Sequence, residues 1–151
     1  MDKIVREAVH QAPAWRKQSN FIIAAKVSGN EGKTEQLWAR KINEHLFEIC
    51  CIPFFIYNLA LGDVVETDAD YIVQRVVKQS GRYVFRAWFG ESNYPSDSIA
   101  EDLAQIGATI EWSSPNLLAV DATDEKHAQQ IADFLAERQR AGHLMYETGR
   151  S

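Results

Sequence analysis

The chain has 151 residues, 46% of them hydrophobic and 11% aromatic, enough for one ordinary domain or two very small ones to build a core. Its longest apolar runs, residues 52–56 and 117–120, stop far short of the roughly 18 residues that a membrane-crossing helix needs. A net charge of −5 argues against direct nucleic-acid binding, which calls for the opposite sign.

That charge is unevenly placed. Residues 1–80 hold ten acids against ten Lys and Arg, whereas residues 81–151 hold eleven against six, so the second half carries the whole excess. An acidic half suits a basic protein partner.

In chain order, residues 1–19 alternate charged and apolar side chains where a secretory signal needs a continuous apolar core, and so read as a short helix or loose arm of a cytoplasmic protein. The run "FIIAAKVSG" (21–29) reads as a first strand and "NEGK" as a turn. "TEQLWARKI" (34–42) and "HLFEICCIPFF" (45–55) read as a hairpin cornered at Asn43 and Glu44. Leu37, Ala39 and Lys41 alternate with Trp38, Arg40 and Ile42, the period of a half-buried strand, and Pro53 marks a strand end or edge. Short β-rich runs continue to Ser80, punctuated by "ETDAD" and "QSGR". The pattern predicts a small β-barrel-like subdomain or a bent antiparallel sheet over residues 20–80.

From residue 81 the pattern changes. "RYVFRAWF" (82–89) is a strand with Tyr83, Phe85, Ala87 and Phe89 on one face. "SIAEDLAQIG" follows as a helix, with Ser98 and Glu101 at capping-box spacing and Gly107 at its stop. "TIEW" and "NLLAVDA" pair across "SSPN". Thr123 is placed to cap a second helix, whose apolar stripe is Ala128, Ile131, Phe134 and Leu135, and "HLMYET" is a last strand. Strand, helix, strand, strand, helix, strand is the order of a ferredoxin-like unit over residues 81–151, so the fold class is α+β.

The segments "EQLWARKI", "IPFFIYNLALGDVVETD", "YIVQRVVKQSGRYVFRAWFGES", "IEWSSPNLLAVDA" and "ERQRAGHLMYETGR" resemble the bacterial family catalogued as domain of unknown function four-two-six-five, over nearly the whole stretch from Thr34 to Arg150. The resemblance implies no activity and no catalytic residues.

The residues themselves point away from several chemistries. His10, His45, His127 and His143 sit in four different segments, none beside another His or a Cys at ligand spacing. Asp124 and His127 could share a helix face but lack partners on the other helix, and read as a capping Asp and a surface His. Ser113 and Ser114 fall in a hairpin turn outside any nucleophile elbow. Cys50 and Cys51 are neighbours that point to opposite faces of a strand, and so read as separate buried hydrophobes; Cys51 lacks the basic setting that lowers a thiol pKa. "SGNEGK" does not have the spacing of a phosphate loop. No metal and no cofactor are expected.

Two groups remain as candidate sites. Asp63, Glu66, Asp68 and Asp70 lie within eight residues and read chiefly as turn acids where a hairpin meets water, with an EF-hand loop excluded by the missing glycine and distal Glu. The loop "AWFGESNYPSDS" and the helix after it offer Trp88, Glu91, Tyr94, Asp97, Glu101 and Asp102, aromatic anchors beside carboxylates that steer a partner. The expectation is a non-catalytic protein-binding protein of immunity type, whose acidic face occludes a basic toxin or nuclease. The alternative is a small-ligand-binding sensor or regulatory domain; homo-oligomer formation stays open, and an enzyme ranks third.

Overall fold

The computed structural model describes residues 6–90 and 95–149, with Arg6 described in its backbone alone; Glu91 and Tyr94 of the expected site lie outside these residues. The chain is mixed α and β, with two separate sheets and, among the described residues, two α-helices.

The first sheet holds β1 (Arg6–Ala8), β2 (Phe21–Lys26), β3 (Lys33–Lys41), β4 (Leu46–Ile49), β5 (Val64–Thr67) and β6 (Val73–Lys78). Strand β3 is its spine. It takes β2 along one edge, while β1 and β4 share the other, β1 at Lys33–Glu35 and β4 at Ala39–Lys41. The alternation expected for this strand is present, with Leu37 and Ala39 fully buried. The sheet curls until β2 meets the residue before β6 in a single bridge, Ala24 to Ile72, and it does not close into a barrel. Nor is it purely antiparallel, since β1 runs parallel to β3.

The described part of the N-terminal segment, residues 6–19, is therefore not a loose arm, and its helix is confined to one 3-10 turn, Arg16–Gln18. Its β1 joins the sheet, and His10 just beyond it is buried.

The expected strand over residues 45–55 is also shorter than its apolar pattern suggests. Strand β4 ends at Ile49, and residues 50–63 run as an irregular segment between the two sheets. Ile52, Phe54, Ala60 and Leu61 pack there against Val84 and Ala119 of the second sheet, with Ala14, Trp15 and Phe55 at the margin. The segment is apolar because it is interior on both sides, which gives it the same sequence signature as a buried strand. Gly62 turns the chain out of it with φ 84°, and a Cβ there would meet the Ser80 Cβ at 3.1 Å and the Trp15 ring at 3.2 Å.

The second sheet is β7 (Tyr83–Trp88), β8 (Thr109–Ser114), β9 (Leu117–Ala122) and β10 (Met145–Thr148), in the order β10-β7-β9-β8 with every neighbour antiparallel. Helices α1 (Ser96–Gln105) and α2 (Glu125–Arg140) pack on one face of it, burying Ile99, Leu103, Ile131 and Leu135 against Phe85, Ala87, Phe89 and Val120. The other face of β7 carries Val84 and Arg86, which are buried against the irregular segment.

Both helices begin differently from their sequence signatures. Pro95 occupies the N-cap of α1 with no side-chain cap bond, so the Ser98–Glu101 spacing does not act as a capping box. At α2 the cap is Asp124, whose Oδ1 accepts the His127 N–H at 2.8 Å; Thr123 instead meets the His127 ring.

Candidate functional site

The richest cluster of ionisable groups lies between the sheets. From the first sheet, β3 turns Glu35 inward on the same face as Leu37 and Ala39; from the second, β8 turns Glu111 inward. His10 sits between them, its Nε2 2.6 Å from Glu35 and its Nδ1 2.7 Å from Glu111. Phe54 stacks on the imidazole at 4.0 Å, nearly parallel. All three ionisable residues are buried.

Each carboxylate also accepts backbone N–H groups. Glu35 takes those of Phe54 and Phe55, both at 2.8 Å, and Glu111 takes those of Ile52 and Ala14. Burial by itself pushes the His10 pKa down, but the adjacent Cys51 and the two hydrogen-bonded carboxylates outweigh it and raise the pKa from 6.5 to about 12. The ring is an imidazolium, and each N–H donates to an acid.

Cys51 lies beside this ring, a basic neighbour that its flanking sequence did not announce. Burial nevertheless pushes its thiol pKa up, against the pull of His10, and burial pushes Cys50 up to about 12. Both cysteines are buried and unbridged, so each packs as a protonated hydrophobe.

Arg86 plays the complementary part. Its buried guanidinium donates to the carbonyls of Pro53 and Ile56, lies 3.5 Å from the Glu147 carboxylate, and stands over the Tyr57 ring at 4.9 Å. Together the acids and this base satisfy the backbone of a segment that belongs to neither sheet. Such a segment could not otherwise be buried, because each unpaired N–H or C=O would carry its full desolvation cost.

Residues 35–146 match the model of a family described as Domain of unknown function (DUF4265). The chain belongs to that family. The matched range of this DUF4265 chain opens on Glu35 and includes Glu111 and Arg86, while His10 precedes it. The chain is also similar to a solved structure titled "Novel crystal structure of a hypothetical protein from Neisseria gonorrhoeae". The TM-score is 0.72 and the identity 22%, over 85% of this chain and 93% of that one, a likeness of fold. None of the curated proteins matches.

The residues singled out from the DUF4265 sequence do not converge on one surface. Trp88 is 58% exposed and, by strand alternation with Val84 and Arg86, faces away from the helices, beside Met145 at 71% on β10. Asp97, Glu101 and Asp102 are exposed on α1, across the sheet from it.

The second group is divided as well. Asp63 is fully buried, contrary to its reading as a turn acid in water, although it does accept backbone N–H groups, those of Ala60 at 2.9 Å and Ser80 at 2.8 Å. Glu66 lies within β5 and pairs with Arg75 at 3.0 Å. Asp68 accepts the N–H groups of Asp70 and Ile72 in the turn, and Asp70 is exposed.

His127 is likewise more than a surface histidine. Its Nδ1 accepts the Thr123 N–H and its Nε2 faces the Ile106 carbonyl at 2.8 Å, which ties the end of α1 to the start of α2. Among the described residues no group of three or more His, Cys, Asp or Glu is arranged to hold a metal ion.

A groove of about 930 Å³ opens on the surface near the buried cluster. One wall is formed by β1, with Glu7, Ala8 and Val9, together with Gln11, Lys33 and Phe55; the other by Trp112, Ser113, Ser114 and Pro115, with Ser96 and Asp97 of α1 at the rim. The Lys33 ammonium stands 3.9 Å from the centre of the Phe55 ring.

Proposed function

We propose that this is a non-catalytic protein-binding protein that engages a basic partner through the outer face of α1, in the manner of an immunity-type inhibitor that covers a toxin or nuclease. The observation that carries the reading is the composition of that face: Asp97, Glu101 and Asp102 are all exposed, and the helix holds no Lys or Arg. Asp97 and Glu101 are one turn apart, so they present a single negative stripe to an incoming cationic surface. The sealed state of the His10 cluster supports a scaffold role for its acid and base, since both ring nitrogens and both carboxylates are already engaged inside the molecule.

The strand order β10-β7-β9-β8, with two helices on one face, supports reading the second half as a ferredoxin-like unit that displays α1 at the surface. No described helix is long and apolar enough to cross a membrane; a cytoplasmic setting is part of the proposal and rests on the two reduced thiols.

The test is affinity capture from cell extract, at low and moderate salt, with the wild type and with Glu101→Lys/Asp102→Lys. A basic protein retained by the wild type and lost by the double variant supports the reading; no basic protein captured at either salt sinks it. A second reading, a small-ligand sensor, is favoured by the groove with its aromatic lining. A small molecule that copurifies and raises the melting temperature would support it.

A further inference from the structure

The groove has a property that the α1 surface lacks: two sheet edges border it. Strand β1 ends the order β1-β3-β4-β5-β6 and strand β8 ends the order β10-β7-β9-β8, so among the described residues each is paired on one side alone. An open strand edge carries N–H and C=O groups that an extended chain can pair with. Between Trp112 and Ser114 the ladder to β9 slips, which leaves Ser113 without a register partner at the point where β8 borders the groove. Such a bulge bends the strand and re-aims its side chains. The floor is fixed, because β1 leads directly into His10, clamped to β3 and β8 by ion pairs of 2.6 and 2.7 Å.

The charge of the lining selects among extended chains. Glu7 stands exposed on the β1 wall, its carboxylate accepting from the Thr34 hydroxyl and the Gln36 side-chain amide of β3 yet keeping its negative charge, and exposed Asp97 lies on the rim. Among the described residues the one cation of the lining, Lys33, lies against the Phe55 ring. A basic side chain entering between Glu7 and Asp97 meets two acids, while alternate residues of an extended segment can meet Phe55 and Trp112.

From this juxtaposition we propose that the groove between the open edges of β1 and β8 receives an extended segment of a protein partner, which adds as a strand to β8 and places a Lys or Arg between Glu7 and Asp97. The proposal rests on the protein-binding reading above and specifies how the partner is held.

The test uses a display library of linear twelve-residue peptides selected on the whole folded chain. Peptides rich in Lys or Arg are expected, and amide exchange around Ser113 and Ser114 slows when they bind. Synthetic versions N-methylated at alternate residues separate main-chain pairing from side-chain contact: one alternate set weakens binding about tenfold or more and the other only slightly, as loss of one or two hydrogen bonds predicts. Glu7→Lys/Asp97→Lys, with an unchanged circular dichroism spectrum, abolishes it. Equal sensitivity of both methylated sets, protection mapped to Trp88 and Met145, or selection of acidic peptides would each overturn the proposal. A captured basic protein held as tightly by Glu7→Lys as by the wild type yet lost with Glu101→Lys/Asp102→Lys would overturn the groove while leaving the acidic-face reading intact. Absence of any captured protein, with basic peptides still protecting β8, would do the reverse.

Discussion

Glu35, Asp63, Arg86 and Glu111 direct their hydrogen bonds at main-chain groups of residues 50–63 and their immediate neighbours. A buried unpaired N–H or C=O costs about 1–3 kcal/mol, so four such side chains are what makes an irregular interior segment tolerable. His10 then offsets the carboxylates, and its pH dependence follows in sign. The folded pKa, about 12, lies above the 6.5 of the unfolded chain, so the contribution is complete below about pH 6.5 and declines as pH rises toward 12. The slope is about 1.4 kcal/mol per pH unit for one proton. Urea midpoints measured from pH 6 to 9 should fall in the wild type for this reason. His10→Gln should lose about 3–5 kcal/mol at pH 6, as expected when a buried pair is broken, and its midpoints should vary less with pH. An unchanged slope in the variant would remove His10 as the cause. Part of this cluster is legible in the sequence, because the period of two that buries Leu37 and Ala39 also turns Glu35 inward, and a charge at an inward strand position announces an interior partner. What that partner is cannot be read there: His10 is 25 residues from Glu35 and 101 from Glu111.

At the scale of elements, periodicity identifies the helices and most strands, whereas their ends depend on contacts outside the element. Serine at the head of "SIAEDLAQIG" has the spacing of a capping box, yet the helix starts two residues earlier, behind Pro95, which leaves Ser98 inside the first turn. Asp124 performs the cap at α2 while Thr123 faces His127. Asp124→Ala should therefore cost about 1 kcal/mol in chemical denaturation, and Ser98→Ala should stay within about 0.5 kcal/mol. The reverse ranking would restore the capping box. The end of β4 escapes notice for a different reason, since an apolar run interior on both sides looks alike whether it is a strand or an irregular layer. The four acids from Asp63 to Asp70 do not form one set, because closeness in sequence across a turn does not imply a shared environment: Asp63 is interior and Glu66 is on a strand.

For the whole molecule, the irregular segment joins the two sheets, since Ile52, Phe54 and Leu61 pack against Val84 and Ala119 of the second while Cys51 and Leu59 belong to the core of the first. Phe54 is central to it, since its ring covers His10 while its backbone N–H reaches Glu35. The two halves should then unfold together, with fluorescence and far-ultraviolet circular dichroism giving coincident curves. Phe54→Ala should lower both by the same amount, about 3–5 kcal/mol, and separated transitions would show that each half stands alone. The change of pattern near residue 81 marks where one sheet gives way to the other, and says nothing of the shared layer, because the residues that build it are contributed by both sides of that boundary.

The bond between His10 and Glu111 spans 101 residues of chain. On a ribosome, where the N-terminus emerges first, a nascent chain has Glu35 and His10 available long before β8 exists. Until then the imidazole has one acid instead of two, and Ile52 N–H has no carboxylate to receive it. Contacts of such long range pay their loop-closure entropy before they return any stability, and they set the pace of folding downward. The interior layer is thus completed late in synthesis, when its last acid arrives, whatever order the surrounding strands follow.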